Sequence, residues 1–195
     1  MTTAVIIQAR LGSKRFPRKV LADLAGKPVL ERVLERCKLI GPQVILAVPY
    51  GDDELTPVAE RQGVPIFFGP KDDVLKRYFY ASNAYAIDII MRITADCPLI
   101  DPNLCRKTLE LYEPDYTAIG WPRTYPRGYG CEVFSKSALD LADKNAVTPH
   151  DREHVTPWIE WNLKTKYLTQ AKDESELNYC VDYPEDIERL APFCT

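Results

Sequence analysis

The sequence predicts an α/β fold, a doubly wound and mostly parallel sheet with an inserted α+β subregion at about residues 120–170. Three observations predict it. Short continuous apolar runs at residues 4–7 and 44–48 read as strands buried on both faces. Between them lies helical periodicity: Val29, Leu30, Val33, Leu34 and Cys37 share one face, and Glu31, Arg32, Glu35 and Arg36 the other. The two patterns alternate at strand–helix–strand spacing until a stretch rich in Pro, Gly, Arg and aromatics, residues 121–130, breaks the rhythm.

Taken in order, the first strand at 4–7 leads to a helix opened by Pro28, where the missing N–H costs nothing. A strand at 44–48, a helix at 53–61 and a strand at 65–68 follow, then a helix at 73–85 and a strand at 87–93. Asp101 and Pro102 cap a helix at 103–112. The loop at 121–130 is too long to be a mere connector. Beyond it come a strand at 131–134, helices near 137–143 and 149–163, a last strand at 178–181 and a final helix opened by Pro184. The 195 residues suffice for one domain with a sizeable core.

At 46% hydrophobic and 27% charged residues the composition is globular, and a net charge of −3 gives no basic field for coating nucleic acid. No apolar run approaches the roughly 20 residues that span a bilayer, and no signal-type stretch precedes residue 4. Six scattered cysteines without a C-x-x-C pair read as reduced thiols, and the expectation is a cytoplasmic protein.

The strongest chemical signal follows the first strand. Five cations fall between Arg10 and Lys19, with no acid before Asp23, in a chain that is acidic overall. The segment leaves the carboxyl end of a strand, where open α/β sheets bind ligands. Gly12 and Ser13 suit a turn whose N–H groups form an anion nest, and Arg10 and Lys19 suit the neutralisation of phosphate charge. Neither G-x-x-x-x-G-K-[ST] nor G-x-G-x-x-G is present. Two carboxylates stand at other strand ends: Asp96 after the strand at 87–93, and Asp182 after the segment at 178–181. Converging on one crevice, such a pair suits Mg²⁺, which takes one or two carboxylates plus substrate phosphates. Asp101 reads as a helix cap, and Asp182 is open to the same reading.

Several blocks in order resemble one family. Residues 7–13, 19–21 and 26–28 resemble the opening of the acylneuraminate and 3-deoxy-manno-octulosonate cytidylyltransferases, most closely the branch of spore coat polysaccharide biosynthesis proteins. Asp73-Val74-Leu75 with Arg77-Tyr78, the segment Thr94–Asp101, Arg127-Gly128, Glu132-Val133-Phe134, the run Arg152–Thr156 and Asp182-x-Pro184-Glu185-Asp186 resemble later elements of that branch. The chain ends sooner after the last motif than the branch pattern leads one to expect. The resemblance implies a Rossmann-like nucleotidyltransferase fold of the GT-A type and transfer of CMP from CTP to an acidic sugar. It implies nucleotide contacts from Gln8, Ala9, Arg10, Gly12, Ser13, Lys19, Asp73, Arg77 and Thr94, catalysis by Arg10, Lys19 and Asp96, and Mg²⁺ on Asp96 and Asp182. Acceptor contacts fall to Arg127, Glu132, Arg152 and His154, with a surface salt bridge open for Arg127 and a structural or sugar-pocket role for Arg152, Glu153 and His154, and a homodimer is implied, built partly through the later subregion.

His150–His154 also matches H-x-x-E-H, an inverted zinc-protease signature. Thr148 and Pro149 mark it as a helix start, and nothing flags a third ligand. Cys97 beside Asp96 reads as a small buried filler. A glycosyltransferase of the same fold would be expected to carry D-x-D at a strand end, which is missing here; a non-catalytic nucleotide-binding module stays open on fold alone.

Overall fold

A computed structural model describes residues 1–113 and 115–194. The apolar run expected at the start forms β1 (Thr3–Gln8), and its alternation divides the core: Ala4 and Ile6 face one layer of helices, Val5 and Ile7 the other. A two-residue hairpin, β2 (Asp23–Leu24) and β3 (Lys27–Pro28), precedes α1 (Val29–Lys38). Then come β4 (Gln43–Pro49), α2 (Thr56–Arg61), β5 (Ile66–Gly69), α3 (Val74–Ala84), β6 (Ile89–Thr94) and α4 (Pro102–Glu110). Asp101 caps α4 as expected, its side chain accepting from the Asn103 and Leu104 amides.

Beyond α4 the chain forms β7 (Tyr116–Ile119), β8 (Glu132–Ser135), α5 (Lys136–Asn145), α6 (Pro149–His154), α7 (Pro157–Asn162), β9 (Thr165–Leu168) and α8 (Glu185–Leu190). Seven strands join in the order β5-β4-β1-β6-β8-β7-β9. Only β8 runs against its neighbours. The chain winds outward from β1 through β4 to β5, then crosses back to β6 on the other flank of β1. That reversal makes the gap between the ends of β1 and β6 the switch point at which such sheets hold ligands.

The structure corrects three expectations. Residues 178–181 form no strand: a single parallel bridge pairs Asn178 with Arg127. Pairing cannot spread, because Gly128 turns away at φ 97°, and a Cβ there would lie 2.9 Å from the Tyr179 carbonyl carbon. The helix expected at 149–163 is broken into α6 and α7 at Val155. Pro157 has no N–H to continue the ladder, and the chain instead makes a γ-turn at Val155 (φ 73°, ψ −54°), with Thr156 N donating to His154 O at 2.9 Å. That conformation is strained for a β-branched residue; the fully buried Val155 side chain anchors it in the core. Finally, β7 and β9 were not expected, and they extend the sheet on the flank of β8.

Helices α3, α5 and α6 are tied by charge. Asp143 accepts from Lys76 Nζ at 2.7 Å and Arg152 Nη2 at 2.9 Å, with its own side chain only 10% exposed. Burial raises the Asp143 carboxyl pKa, but hydrogen bonds and charge from Lys76 and Arg152 outweigh it and hold the group below its usual value. Its stabilisation is therefore present above the unfolded value of about 3.9 and lost as pH falls through the lower folded one. Asp143→Asn is expected to cost about 1–3 kcal/mol at neutral pH and to flatten the fall of the urea midpoint on acidification below about pH 4. A midpoint–pH curve identical to that of the parent contradicts this.

Candidate active site

At the switch point three distant stretches meet. Lys19 stands on a 3-10 turn (Lys19–Leu21) that ends the basic loop, and its side chain is 12% exposed. Its ammonium donates to Asp96 Oδ2 at 2.7 Å, to Val181 O at 2.7 Å and to Asp182 Oδ1 at 3.3 Å. Asp182 is buried and also takes Arg15 on Oδ1 and Arg127 Nη2 on Oδ2, the latter at 2.8 Å. The Asp182 and Tyr183 amides donate to Asp186 Oδ2 at 2.8 and 2.9 Å, fixing the turn that presents Asp182. Asp96 is held from behind by the Val181 amide, which donates to its carbonyl at 2.8 Å. Burial raises the Asp96 carboxyl pKa, yet the charge and hydrogen bond of Lys19 keep it below the ordinary value. It is an anion at neutral pH.

An open cleft of about 480 Å³ runs from this cluster along the basic loop to the end of α6. Gln8, Arg10, Gly12, Ser13, Lys19, Thr94, Asp96, Arg127, His154 and Asp182, all singled out in the sequence, line it. The loop is shaped by the Leu11 amide donating to Asp52 Oδ2 at 2.8 Å and the Arg18 amide donating to Leu11 O at 3.0 Å. Gly12 needs no unusual backbone angle, and a Cβ built there meets no protein atom within 4 Å, so what favours glycine here is room in the cleft. Beside the cleft, Ala9 and Arg77 help line a smaller pocket of about 100 Å³ with Gln8, Lys19 and Thr94. On the other side of Asp96, Arg123, Tyr125, Arg127, Cys97 and Cys180 border a third space of about 290 Å³.

Four nominated residues spend their polar groups elsewhere. The buried Arg77 guanidinium donates to the carbonyls of Pro70 and Lys71, at 2.7–3.0 Å, so it braces the turn before α3. Asp73 caps α3 through the Lys76 amide at 2.8 Å and pairs with Arg152 at 2.6 Å. Arg152 is thus committed to Asp73 and Asp143, away from the cleft. Glu132 takes Arg92, the Tyr116 hydroxyl at 3.1 Å and the Thr156 hydroxyl at 2.9 Å, and does not border the cleft.

The structure adds Arg92 to the lining and brings there Lys14 and Arg15 of the cationic loop and Glu153 of the run 152–156. Arg92 rises from β6, donating through Nε to Gln8 Oε1 at 2.9 Å while Glu132 holds Nη1. A lone arginine in an otherwise apolar strand, two residues before the strand ends, is a signal that would have found it. Glu153 faces Arg10 across the cleft mouth at 3.3 Å. The two histidines of the zinc-like motif lie with ring centroids 4.5 Å apart, and among the described residues no third ligand joins them. Partial burial first, then His150, lowers the His154 pKa. The Cys97 thiol hydrogen-bonds with Cys180 and is buried beside the Asp96 charge, all of which push its pKa well up, so it is no nucleophile.

A cationic loop that ends at two carboxylates on the switch point of the sheet is suited to a phosphate chain. The comparisons agree: a family model described as cytidylyltransferase matches residues 4–194. The chain belongs to the cytidylyltransferase family. It is 39% identical over 171 residues to an uncharacterized protein of Methanocaldococcus jannaschii, covering 84% of this chain and 70% of that one. It is 29% identical over 203 residues to the spore coat polysaccharide biosynthesis protein SpsF of Bacillus subtilis, covering 95% and 83% respectively. A solved cytidylyltransferase from Leptospira borgpetersenii superposes with a TM-score of 0.93 at 32% identity, over 98% of this chain and 85% of that one. This cytidylyltransferase falls in the branch that contains SpsF.

Proposed function

We propose that this cytidylyltransferase transfers CMP from CTP to a hydroxyl of an acidic, nonulosonic-type sugar, releasing pyrophosphate, in the cytoplasm and for surface polysaccharide synthesis. The observation that carries the reading is the Lys19–Asp96–Asp182 cluster at the head of the cationic cleft. Similarity to SpsF supports the polysaccharide role, and the motif resemblance to the acylneuraminate and 3-deoxy-manno-octulosonate enzymes supports the acidic acceptor. No helix among the described residues is long and apolar enough to cross a membrane.

Such a displacement depends on positioning and charge neutralisation more than on covalent help. The loop from Arg10 to Lys19 receives the triphosphate, with Arg10 and Lys19 neutralising charge that grows as pyrophosphate departs. Gln8, Ala9 and Thr94 line the pocket for the nucleoside. Arg127, with its fork presented between the cleft and the space beyond Asp96, is placed for an acceptor carboxylate. His154, whose pKa partial burial lowers, also lines the cleft.

A divalent cation, Mg²⁺ in this reading, fits the residues present: one ammonium already lies 2.7 Å from Asp96 Oδ2 and 3.3 Å from Asp182 Oδ1, so both carboxylates reach a common cation. When bound, it supplies charge stabilisation at the reacting phosphate and favours the ionised acceptor hydroxyl. The implied homodimer is supported by an apolar groove that carries Trp121 and Trp161, 78% and 84% exposed, beside Tyr167 and Glu160.

Asp96→Asn is expected to lower kcat by about a thousandfold or more in pyrophosphate release with CTP, Mg²⁺ and the acidic sugar that a panel of four nucleoside triphosphates and several sugars selects, with its thermal unfolding unchanged in cooperativity. Near-parental turnover would remove Asp96 from the chemistry. Light scattering after size exclusion is expected to give a dimer for the parent and a monomer for Trp121→Ser/Trp161→Ser; a monomeric parent contradicts the dimer.

A further inference from the structure

Five charged side chains close on one another at the head of the cleft. Two are carboxylates, Asp96 and Asp182, and three are cations, Lys19, Arg15 and Arg127. The carboxylate pair is over-neutralised by the protein itself. Lys19 has three N–H donors and three acceptors in reach, Asp96 Oδ2, Val181 O and Asp182 Oδ1, so it has none to spare for a phosphate while these bonds stand. Both oxygens of Asp182 are taken, Oδ1 by Lys19 and Arg15, Oδ2 by Arg127. The Lys19 ammonium is also screened little by water, its side chain being 12% exposed against 27% for Asp96 and 6% for Asp182.

A bare divalent cation that approached this cluster would meet net positive charge and would have to expel an ammonium from good hydrogen bonds. A triphosphate changes both terms. Its negative charge, laid along the loop from Arg10 to Arg15, draws Lys19 and Arg15 toward phosphate oxygens and offsets the surplus of positive charge. The carboxylates are then freed at the moment at which phosphate oxygens arrive to complete a cation's ligands.

We propose that Lys19 guards the Asp96–Asp182 pair in the free protein, so that the site admits a divalent cation together with a nucleoside triphosphate and not before it. The free cation is therefore not a first ligand of the cleft. This rests on the reading of Asp96 and Asp182 as the carboxylates of the cation site. It also explains why a lysine, a compact point charge on a flexible stem, stands there in place of arginine: it has to leave one set of partners for another.

The test is Mn²⁺ binding to the full chain without nucleotide, followed by the electron paramagnetic resonance signal of free Mn²⁺. Lys19→Met and Lys19→Gln are expected to bind Mn²⁺ at least about tenfold more tightly than the parent, since a unit charge a few ångströms from the site is removed. Arg127→Gln, at the edge of the cluster, is expected to give a smaller gain in the same direction and serves if the Lys19 variants unfold. The gain is expected to vanish in Lys19→Met/Asp96→Asn. Equal Mn²⁺ affinity in the parent, Lys19→Gln and Arg127→Gln overturns the proposal. Calorimetry of CTP binding to the parent, with and without Mg²⁺, and to Asp96→Asn/Asp182→Asn separates this from failure of the cation site itself. If Mg²⁺ strengthens CTP binding equally in both proteins, the carboxylates are not its ligands and the proposal falls with that reading. If the strengthening is lost in the variant while Lys19→Gln gains no Mn²⁺, the cation site stands and the guard does not.

Discussion

The contact between the Lys19 ammonium and the Asp96 and Asp182 carboxylates is the constraint on which the rest of the molecule turns. It joins residues 77 and 163 positions apart in the chain. Each partner comes from a different kind of element: a 3-10 turn, the end of a parallel strand, and a C-terminal segment with no regular structure. The last of these depends on it most. Beyond one bridge to Arg127 and the Val181 amide on the Asp96 carbonyl, the course of residues 178–182 is set by side chains: Lys19 on the Val181 carbonyl, Asp186 on the amides of Asp182 and Tyr183, and Arg189 on the carbonyls of Asn178 and Cys180. The fold and the chemistry therefore draw on the same ion pairs.

The remainder of the sheet can be understood as what brings these three elements together. Winding outward from β1 and back to β6 opens the switch point, and six strands of like direction aim their carboxyl ends at it. Strand β8, reversed, lies against β6 and places Glu132 beside Arg92. Glu132 also holds Thr156, immediately after the strained Val155, so the end of α6 is fixed relative to the floor of the cleft. Strain at Val155 turns the chain sharply enough for Glu153 and His154 to line the cleft beside the cationic loop while Val155 itself is buried. A smooth helix through 149–163 would have carried the chain past the cleft.

Much of this was legible in the residues. Buried parallel strands announce themselves as apolar runs, and β1 and β4 were found for that reason. The cationic loop stood out because its charge contrasts with an acidic chain, and Asp96 because no helix follows it to claim it as a cap. The short strands β7 and β9 were not legible: four residues each, they mix polar and apolar positions, and they form because β8 and then β7 offer edges to pair with. Motif resemblance also spoke for residues whose polar groups are spent within the protein. Asp73, Arg77, Glu132 and Arg152 stand in the expected positions, yet their polar groups bond to neighbours in the protein, a distinction that no spacing in the sequence carries. Arg15 was not singled out within the cationic loop because its importance comes from facing a cleft formed by segments far apart in the chain, whereas Arg92 carried a readable signal as a charge inside β6.

A crystal structure of the full chain with CTP and Mg²⁺ tests the central claim most directly. The account requires the triphosphate along residues 10–19, a cation in contact with Asp96 and Asp182, and the Lys19 ammonium withdrawn from Asp182 onto a phosphate oxygen. A nucleotide bound outside the cleft, or a cation held by other side chains while Lys19 keeps both carboxylates, would contradict it.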